Sequence, residues 1–531
     1  MCPPPSPWSR SSSPPKCRFY EPGCAGRRRR TGAGARSGLP PSAFLCPADA
    51  GRRRRTGAGA RSGLPPSADQ TLTQRTGSRL PGSAIAWASF EGLRNPLIIL
   101  CTIYVFAPYY VGTVAASPVA GQALIAQANQ YAGWMVALTA PLMGVVVDRM
   151  GPRKPGLAII VALLLPILWT LWFVVPGGPI GAGAVLMLFT AYTALFAWTE
   201  VFHNALLVPA AKGEVAHTSG LGLALGNLFS VAALVAVLWM FALPGSVDWP
   251  GVPDAPLFGV DAAAHEPARL VGPLSAVLVA LGLLVIVLGV PDAPRTGVRL
   301  GAALRAGLAD LRAMLGELKR NREAAKFLLA RMLYADGKTV IIAMGGVLAS
   351  GVMGWGTLDM LAYGIILSVF AVLGGFLAGP LDNAIGPKRA ILIEIGVTSA
   401  VLVALLLSDQ GRIAGFAVPA APLWGGPVFQ TLPELGYLAL ACISAVSITA
   451  AYASSRTMLA VLVPVEKSAS FFGLYVLSGT ATMWLGPTLL AIATSYFQSQ
   501  QAGFATVHLL LGAGFAVLLT VRAPGGRVVA V

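Results

Sequence analysis

From about Ala84 onward, apolar runs of roughly 20 residues follow one another with short polar breaks, each long enough to cross a hydrocarbon layer about 30 Å thick. Nothing in the chain constrains its fold more. Inside such a layer every backbone N–H and C=O must be satisfied within the chain, so runs of this kind are read as helices. Only 11% of the 531 residues are charged and 55% are hydrophobic, against roughly 25% charged in an ordinary globular chain. A soluble core has no use for so much apolar surface. Twelve spans are expected, near 84–114, 131–147, 156–176, 181–208, 218–243, 271–290, 326–350, 357–380, 389–408, 434–457, 468–496 and 503–521, with a polar loop at 115–130. The fold class is an all-α polytopic membrane protein with two six-helix bundles, over 81–290 and 326–523.

Between the bundles, residues 291–325 form the longest internal polar stretch. It carries Arg295, Arg299, Arg305, Arg312, Lys319, Arg320 and Arg322, with Leu304, Leu308, Leu311 and Leu315 at helical spacing. This predicts an amphipathic basic connector lying on a membrane surface. Residues 1–80 are different again. They hold 15 of the 38 Lys+Arg but three of the 22 Asp+Glu, and so +12 of the formal +16. An 18-residue block at 26–43 recurs identically at 51–68. Neither copy offers apolar surface to stack, so the tail is expected to be disordered low-complexity chain and not a solenoid. Its arginine clusters at 27–30 and 52–55 suit anionic lipid, but no nucleic-acid partner is expected. Residues 524–531 form a short second tail. No CxxC pair occurs, so neither a zinc site nor a disulfide framework is indicated, and no cofactor or metal is expected.

The polar loops carry the next signal. Asp148, Arg149, Gly151, Arg153 and Lys154 follow the second span, and Asp382, Gly386, Lys388 and Arg389 follow the eighth. Each loop sets an Asp at a helix exit, then a Gly-Pro turn, then cations, and each falls at the same place in its half. With the basic connector, Arg522 and Arg527 they define one positively charged side. The opposite loops hold only Arg269 and Arg412 as fixed cations, beside Asp248, Asp254, Asp261 and Glu266. Positive loops stay inside, which places both termini in the cytoplasm. A duplicated bundle that rocks about a midplane site needs a latch that can break at the membrane surface. An Asp that bonds the N-terminal amides of a facing helix is suited to that task.

The stretch from Gly144 through Asp148, Arg149, Gly151 and Arg153 to Lys154 closely resembles the signature loop of the major facilitator superfamily, with Pro152 where a basic residue is usual. The second copy is looser: Gly379 stands three residues before Asp382 instead of four, and an extra residue precedes Gly386. A narrower resemblance rests on Trp87 to Glu91, Phe106 to Tyr110, Phe202 to Leu207, Ser219 to Gly226, Phe327 to Gly337, and Phe471 to Tyr475 with Leu477 to Gly479. Together these are similar to the vacuole-effluxer-like branch, whose fungal members are autophagy-associated amino-acid exporters. The resemblance covers about 84–521. It departs from the branch at Glu91, where Asp is usual, at His203, where Tyr is expected, and at Lys212, where an acid is usual.

Ionisable residues inside spans are expensive and are functional candidates by default. Glu91 and Arg94 share one helix face, as do Glu200 and His203. Span seven holds Arg331, Asp336 and Lys338, Glu394 lies in span nine, and Arg456 lies near one end of span ten. Glu91 or Asp336 is the group expected to take up and release a proton. Arg94, Arg331 and Arg456 are suited to hold a substrate carboxylate. The alternative is that Glu91–Arg94, and Asp336 with Arg331 or Lys338, are neutralised structural pairs, and that His203 is a packing residue. No P-loop, Ser/His/Asp set or HExxH motif occurs, so the chain is not expected to be an enzyme. The reading is a monomeric secondary transporter in the bacterial inner membrane, moving a small solute, an amino acid by resemblance, by alternating access, with proton coupling left open. The competing class is a sensor or lipid-modifying protein on the same scaffold.

Overall fold

The computed structural model describes residues 80–212, 214–463 and 468–522. The duplicated arginine-rich blocks and residues 524–531 lie outside them. The described residues are almost wholly helical. The first half comprises α1 (Gly82–Val114), α2 (Pro118–Met150), α3 (Lys154–Phe173), α4 (Ala182–Ala205), α5 (His217–Ala242) and α6 (Glu266–Gly289). The connector helix is α7 (Leu300–Arg320). The second half comprises α8 (Arg322–Met353), α9 (Thr357–Ile385), α10 (Pro387–Leu406), α11 (Leu432–Leu462), α12 (Gly473–Phe497) and α13 (Gln500–Leu519). A two-residue hairpin, β1 (Arg412–Ile413) with β2 (Phe416–Ala417), links α10 to α11.

Among the described residues, 11 of these helices are long and apolar enough to cross a membrane. The remaining one of the expected twelve is α2, a 33-residue helix. It overturns one expectation: residues 118–130 are helix and not loop. Some of their polar groups bond the second half, where Gln122 donates to Thr494 Oγ1 at 2.9 Å and to the Gln500 carbonyl at 3.0 Å. Hydropathy alone cannot see such a partner.

Within a bilayer there is little hydrophobic drive between helices, so close packing and polar bonds set the arrangement. α1 packs on α5 and α6, α9 and α10 on α11, and α8 on α13. The two halves repeat one detail. Lys154, opening α3, donates to the Val287 carbonyl near the end of α6 at 2.7 Å. Lys388, at the start of α10, donates to the Leu519 carbonyl at the end of α13 at 2.9 Å.

Span one is not a uniform helix. Pro108 has no amide hydrogen to give and crowds the turn before it, and the chain answers with two π stretches, Ile98–Tyr104 and Tyr110–Val114, around the short turn Phe106–Tyr109. Val105 N–H bonds Leu100 O and Ala115 N–H bonds Tyr110 O, each five residues back. On the connector, the buried side of α7 is Ala303 and Gly307, while Leu308 and Leu315 are exposed. The leucine stripe therefore faces away from the bundle over at least part of its length.

Candidate functional site

The face carrying the two loops is called the loop face below. At its first loop, Gly151 takes φ +100°, and a Cβ there would meet the Pro294 carbonyl oxygen at 2.1 Å, so the turn admits only glycine. The amides at the start of α3 are met by an acid that sequence reasoning missed. Asp292 accepts from Arg153 N–H at 2.9 and 3.1 Å and from Lys154 N–H at 3.0 Å. Thr296 adds a bond to the Arg149 carbonyl at 2.5 Å. An anion at a helix N-terminus satisfies unpaired amides and the positive end of the dipole together. Asp148 lies on the last turn of α2, next to Gly144 one turn back, and its side chain lies outside the described residues. At the second loop Gly386 takes φ +84° with open space around it. Asp382 is buried, facing the hydroxyls of Ser454 and Thr457 on α11, and Arg389 is exposed.

Inside the first half, Trp87, Glu91, Arg94 and Asn95 lie on one face of α1. The His203 ring from α4 stacks on Trp87 at 4.0 Å and 11°. The Trp87 indole N–H donates to the His203 carbonyl at 2.7 Å. Arg94 donates to Glu91 Oε2 at 2.8 Å and to Thr199 Oγ1 at 3.2 Å, and its guanidinium lies 4.5 Å over the Phe196 ring. Asn95 donates to Ser230 Oγ on α5 at 3.1 Å. His203 thus joins Glu91 across helices, Nδ1 to Oε2 at 3.3 Å, and not Glu200, which is exposed on its own helix. The other ring nitrogen, Nε2, lies 3.0 Å from the Trp87 carbonyl. A carbonyl only accepts, so Nε2 carries a hydrogen. A good Nδ1–Oε2 contact then requires one more proton, held as an imidazolium or as a carboxylic acid. His203 is thus both packed on Trp87 and in contact with Glu91.

In the second half the expected pairs of Asp336 with Arg331 or Lys338 do not form. Asp336 Oδ2 accepts from Gly486 N–H at 2.8 Å, capping the second segment of α12 where that helix breaks, between Thr480 and Leu485. Arg331 donates to the Tyr475 carbonyl at 2.7 Å and to Ser478 Oγ at 2.6 Å, with its guanidinium 3.4 Å over the Tyr475 ring. Lys338, two residues from Asp336 and so turned to another side of the helix, is fully buried. Its ammonium lies 4.0 Å over the Tyr452 ring and 5.0 Å over Tyr334. Glu394 on α10 is its electrostatic neighbour and accepts from Ser454 at 3.1 Å. Arg456 is exposed and joins neither cluster.

Between the halves lies a cavity of about 850 Å³. Its walls come from α1, α5, α8, α9, α10, α11 and α13, and among the described residues no Asp, Glu, Lys, Arg or His lines it. Ser230, which receives the Asn95 bond, is part of that wall. Among the described residues, bonds that join the halves lie between the midplane and the face opposite the loops. There Gln122 meets Thr494 and Gln500, Gln500 returns a bond to the Pro118 carbonyl at 3.2 Å, and Trp134 stacks on Trp484 at 4.0 Å.

A profile of the family described as "Vacuole effluxer Atg22 like" matches residues 214–531. The chain belongs to the vacuole effluxer Atg22-like family. This Atg22-like chain is 22% identical over 464 residues to the uncharacterized MFS-type transporter YxiO of Bacillus subtilis (strain 168), which covers 82% of this chain and 93% of YxiO. Among solved structures, a bacterial homologue of the human lysosomal transporter Spinster, inward-facing and unoccupied, superposes with a TM-score of 0.57 at 14% identity, covering 85% of this chain and 100% of that one. A D-xylose–proton symporter gives 0.56 at 12%, covering 83% and 97%. The nucleoside transporter NupG gives 0.55 at 13%, covering 83% and 100%. At these identities the structures establish the major facilitator fold alone. With the family and YxiO they make this Atg22-like protein a multi-pass membrane transporter for a small-molecule solute, not an enzyme.

Proposed function

We propose that this protein is a secondary active transporter that moves a small organic solute by alternating access through the cavity between its halves. The observation that carries the reading is that cavity, lined by both halves and bounded toward the opposite face by the Gln122–Thr494–Gln500 bonds. Breaking those bonds while the loop face closes would expose the same cavity to the other side. The broken helices α1 and α12 support it, since interrupted spans commonly line transport sites. The charge bias of the loops supports a cytoplasmic loop face, cytoplasmic termini and the bacterial inner membrane. The unit of transport is taken as the monomer.

We take Glu91 and His203, in contact at 3.3 Å, as the proton-coupling pair; Asn95, which follows Arg94 on the same helix, bonds Ser230 of the cavity wall. The amino-acid expectation rests on family resemblance. The cavity lining itself, free of ionisable side chains, suits an uncharged solute better. Uptake and efflux of labelled amino acids and labelled uncharged solutes in proteoliposomes, with and without a pH gradient, tests both. Saturable flux of one class, reduced by Asp148→Ala, is the expected result. No flux of either class, with Asp148→Ala indistinguishable from the parent in folding and ligand response, would favour a sensor on this scaffold.

A further inference from the structure

Three tyrosines stand out on the cavity wall: Tyr104 at the end of the π stretch in α1, Tyr363 on α9 and Tyr437 on α11. Tyr363 is 4% exposed and Tyr437 1%. Among the described residues none of the three hydroxyls makes a hydrogen bond. Other buried phenols do: Tyr192 bonds Thr102, Tyr334 bonds Ser455, and Tyr109 bonds the Val174 carbonyl. None of the three hydroxyl oxygens is among the buried polar atoms left without a partner, so each opens onto the cavity, where an entering molecule can accept its hydrogen. Tyr104 and Tyr437 are both electrostatic neighbours of Tyr363, and all three line the one cavity.

The rings are held firmly. Tyr104 meets Tyr363 edge-on at 6.0 Å, and Trp355 lies 5.3 Å from Tyr363 and 5.5 Å from Tyr437. Trp355 is itself anchored by its indole N–H to Glu434 at 3.1 Å. The π geometry that delivers Tyr104 is uncommon and recurs at functional sites. One phenol comes from the first half and two from the second, so a ligand touching all three would join the halves.

We propose that Tyr104, Tyr363 and Tyr437 form the recognition subsite for the transported solute, and that the solute is an uncharged, ring-bearing molecule with carbonyl-type hydrogen-bond acceptors. This rests on reading the cavity as the transport path. Phenol hydroxyls donate to neutral acceptors, and aromatic walls take a ring edge-on or offset. An ammonium or carboxylate would enter a wall with no counter-charge, which is strongly disfavoured.

The test is equilibrium binding to the full chain in lipid nanodiscs. The probes are labelled N-acetyl-L-phenylalaninamide, benzamide and acetanilide, against L-phenylalanine as the matched zwitterion. At least one amide is expected to bind, with L-phenylalanine at least about tenfold weaker. Tyr363→Phe/Tyr437→Phe keeps both rings and removes two donors; it is expected to weaken amide binding by about tenfold, equivalent to about 1.4 kcal/mol. Tyr109→Phe, whose hydroxyl bonds Val174 away from the cavity, is expected to bind like the parent. Thermal unfolding confirms that each variant is folded. Equal or tighter binding of L-phenylalanine, unchanged binding in the double variant, or no binding by any of the three amides would each overturn the proposal. Binding and flux separate the two readings. A chain that transports L-phenylalanine but binds none of the amides keeps the transport reading and ends this one. A chain that binds amides through these tyrosines but moves no solute does the reverse.

Discussion

Replacing Gly133 with alanine puts a methyl group where the two halves touch backbone to backbone. A Cβ at Gly133 on α2 would lie 2.8 Å from both the Cα and the amide nitrogen of Trp484 and 3.0 Å from the Met483 carbonyl carbon. Met483 and Trp484 lie in the break of α12, and their main-chain atoms cannot swing aside as a side-chain tip can, so the backbones of α2 and α12 must move apart there. Overpacking of this kind costs about 1–3 kcal/mol. The penalty falls only on the arrangement in which the opposite face is closed. With about 1.4 kcal/mol per factor of ten, the equilibrium should move about 5- to 150-fold toward an open opposite face. The reporter is Thr494→Cys in a background with the six native cysteines replaced. Thr494 is fully buried in the closed arrangement, so labelling by a membrane-impermeant maleimide requires opening. Adding Gly133→Ala to this reporter is expected to raise the labelling rate within that range. An unchanged or slower rate in a folded protein would refute the assignment of this contact as the closing element.

Three further outcomes follow from the same geometry. Asp292→Ala removes the acceptor for the Arg153 and Lys154 amides and should destabilise the protein by about 1–3 kcal/mol, read as a lower thermal midpoint in detergent, with Asp292→Asn recovering part of the loss. Glu91→Gln can still donate to His203 Nδ1 but holds no exchangeable proton, so solute exchange should persist while stimulation by a pH gradient disappears; undiminished stimulation would remove Glu91 from the coupling role. Lys338→Met removes the cation that is the electrostatic neighbour of buried Glu394, without breaking a direct ion pair, and should lower the thermal midpoint; Lys338→Met with Glu394→Gln should recover most of that in a double-mutant cycle, and strictly additive losses would show the two groups are not coupled.

Much of this architecture was legible before any coordinates, because a bilayer reads length and apolarity, and both are local properties of sequence. The paired loops were legible for the same reason: Gly-Pro turns and charges at span ends are punctuation. What escaped depends on partners far away in the chain. Asp292 sits 138 residues from Lys154, and a single acid after a span carries no local signature. His203 was matched to Glu200 by spacing along one helix, whereas its real partner, Glu91, lies across the bundle. Gln122 and its neighbours were taken for loop because polarity argues for water, and the second half of the protein supplied the partners instead. The tyrosine subsite was invisible for another reason: aromatic residues in spans are ordinary, and only unused hydroxyls converging on one cavity distinguish these three.

The central claim is that one cavity opens alternately to the two sides, and a reversible staple across the opposite face tests it directly. Gln122→Cys and Thr494→Cys put thiols on the two helices that the parent side chains join at 2.9 Å, and a short bis-methanethiosulfonate reagent spans the gap that the longer glutamine arm fills. In proteoliposomes, flux of the solute identified by the uptake panel is expected to stop on cross-linking and return on reduction, with each single-cysteine variant unaffected by either treatment. Full flux through a protein shown to be completely cross-linked would contradict the account.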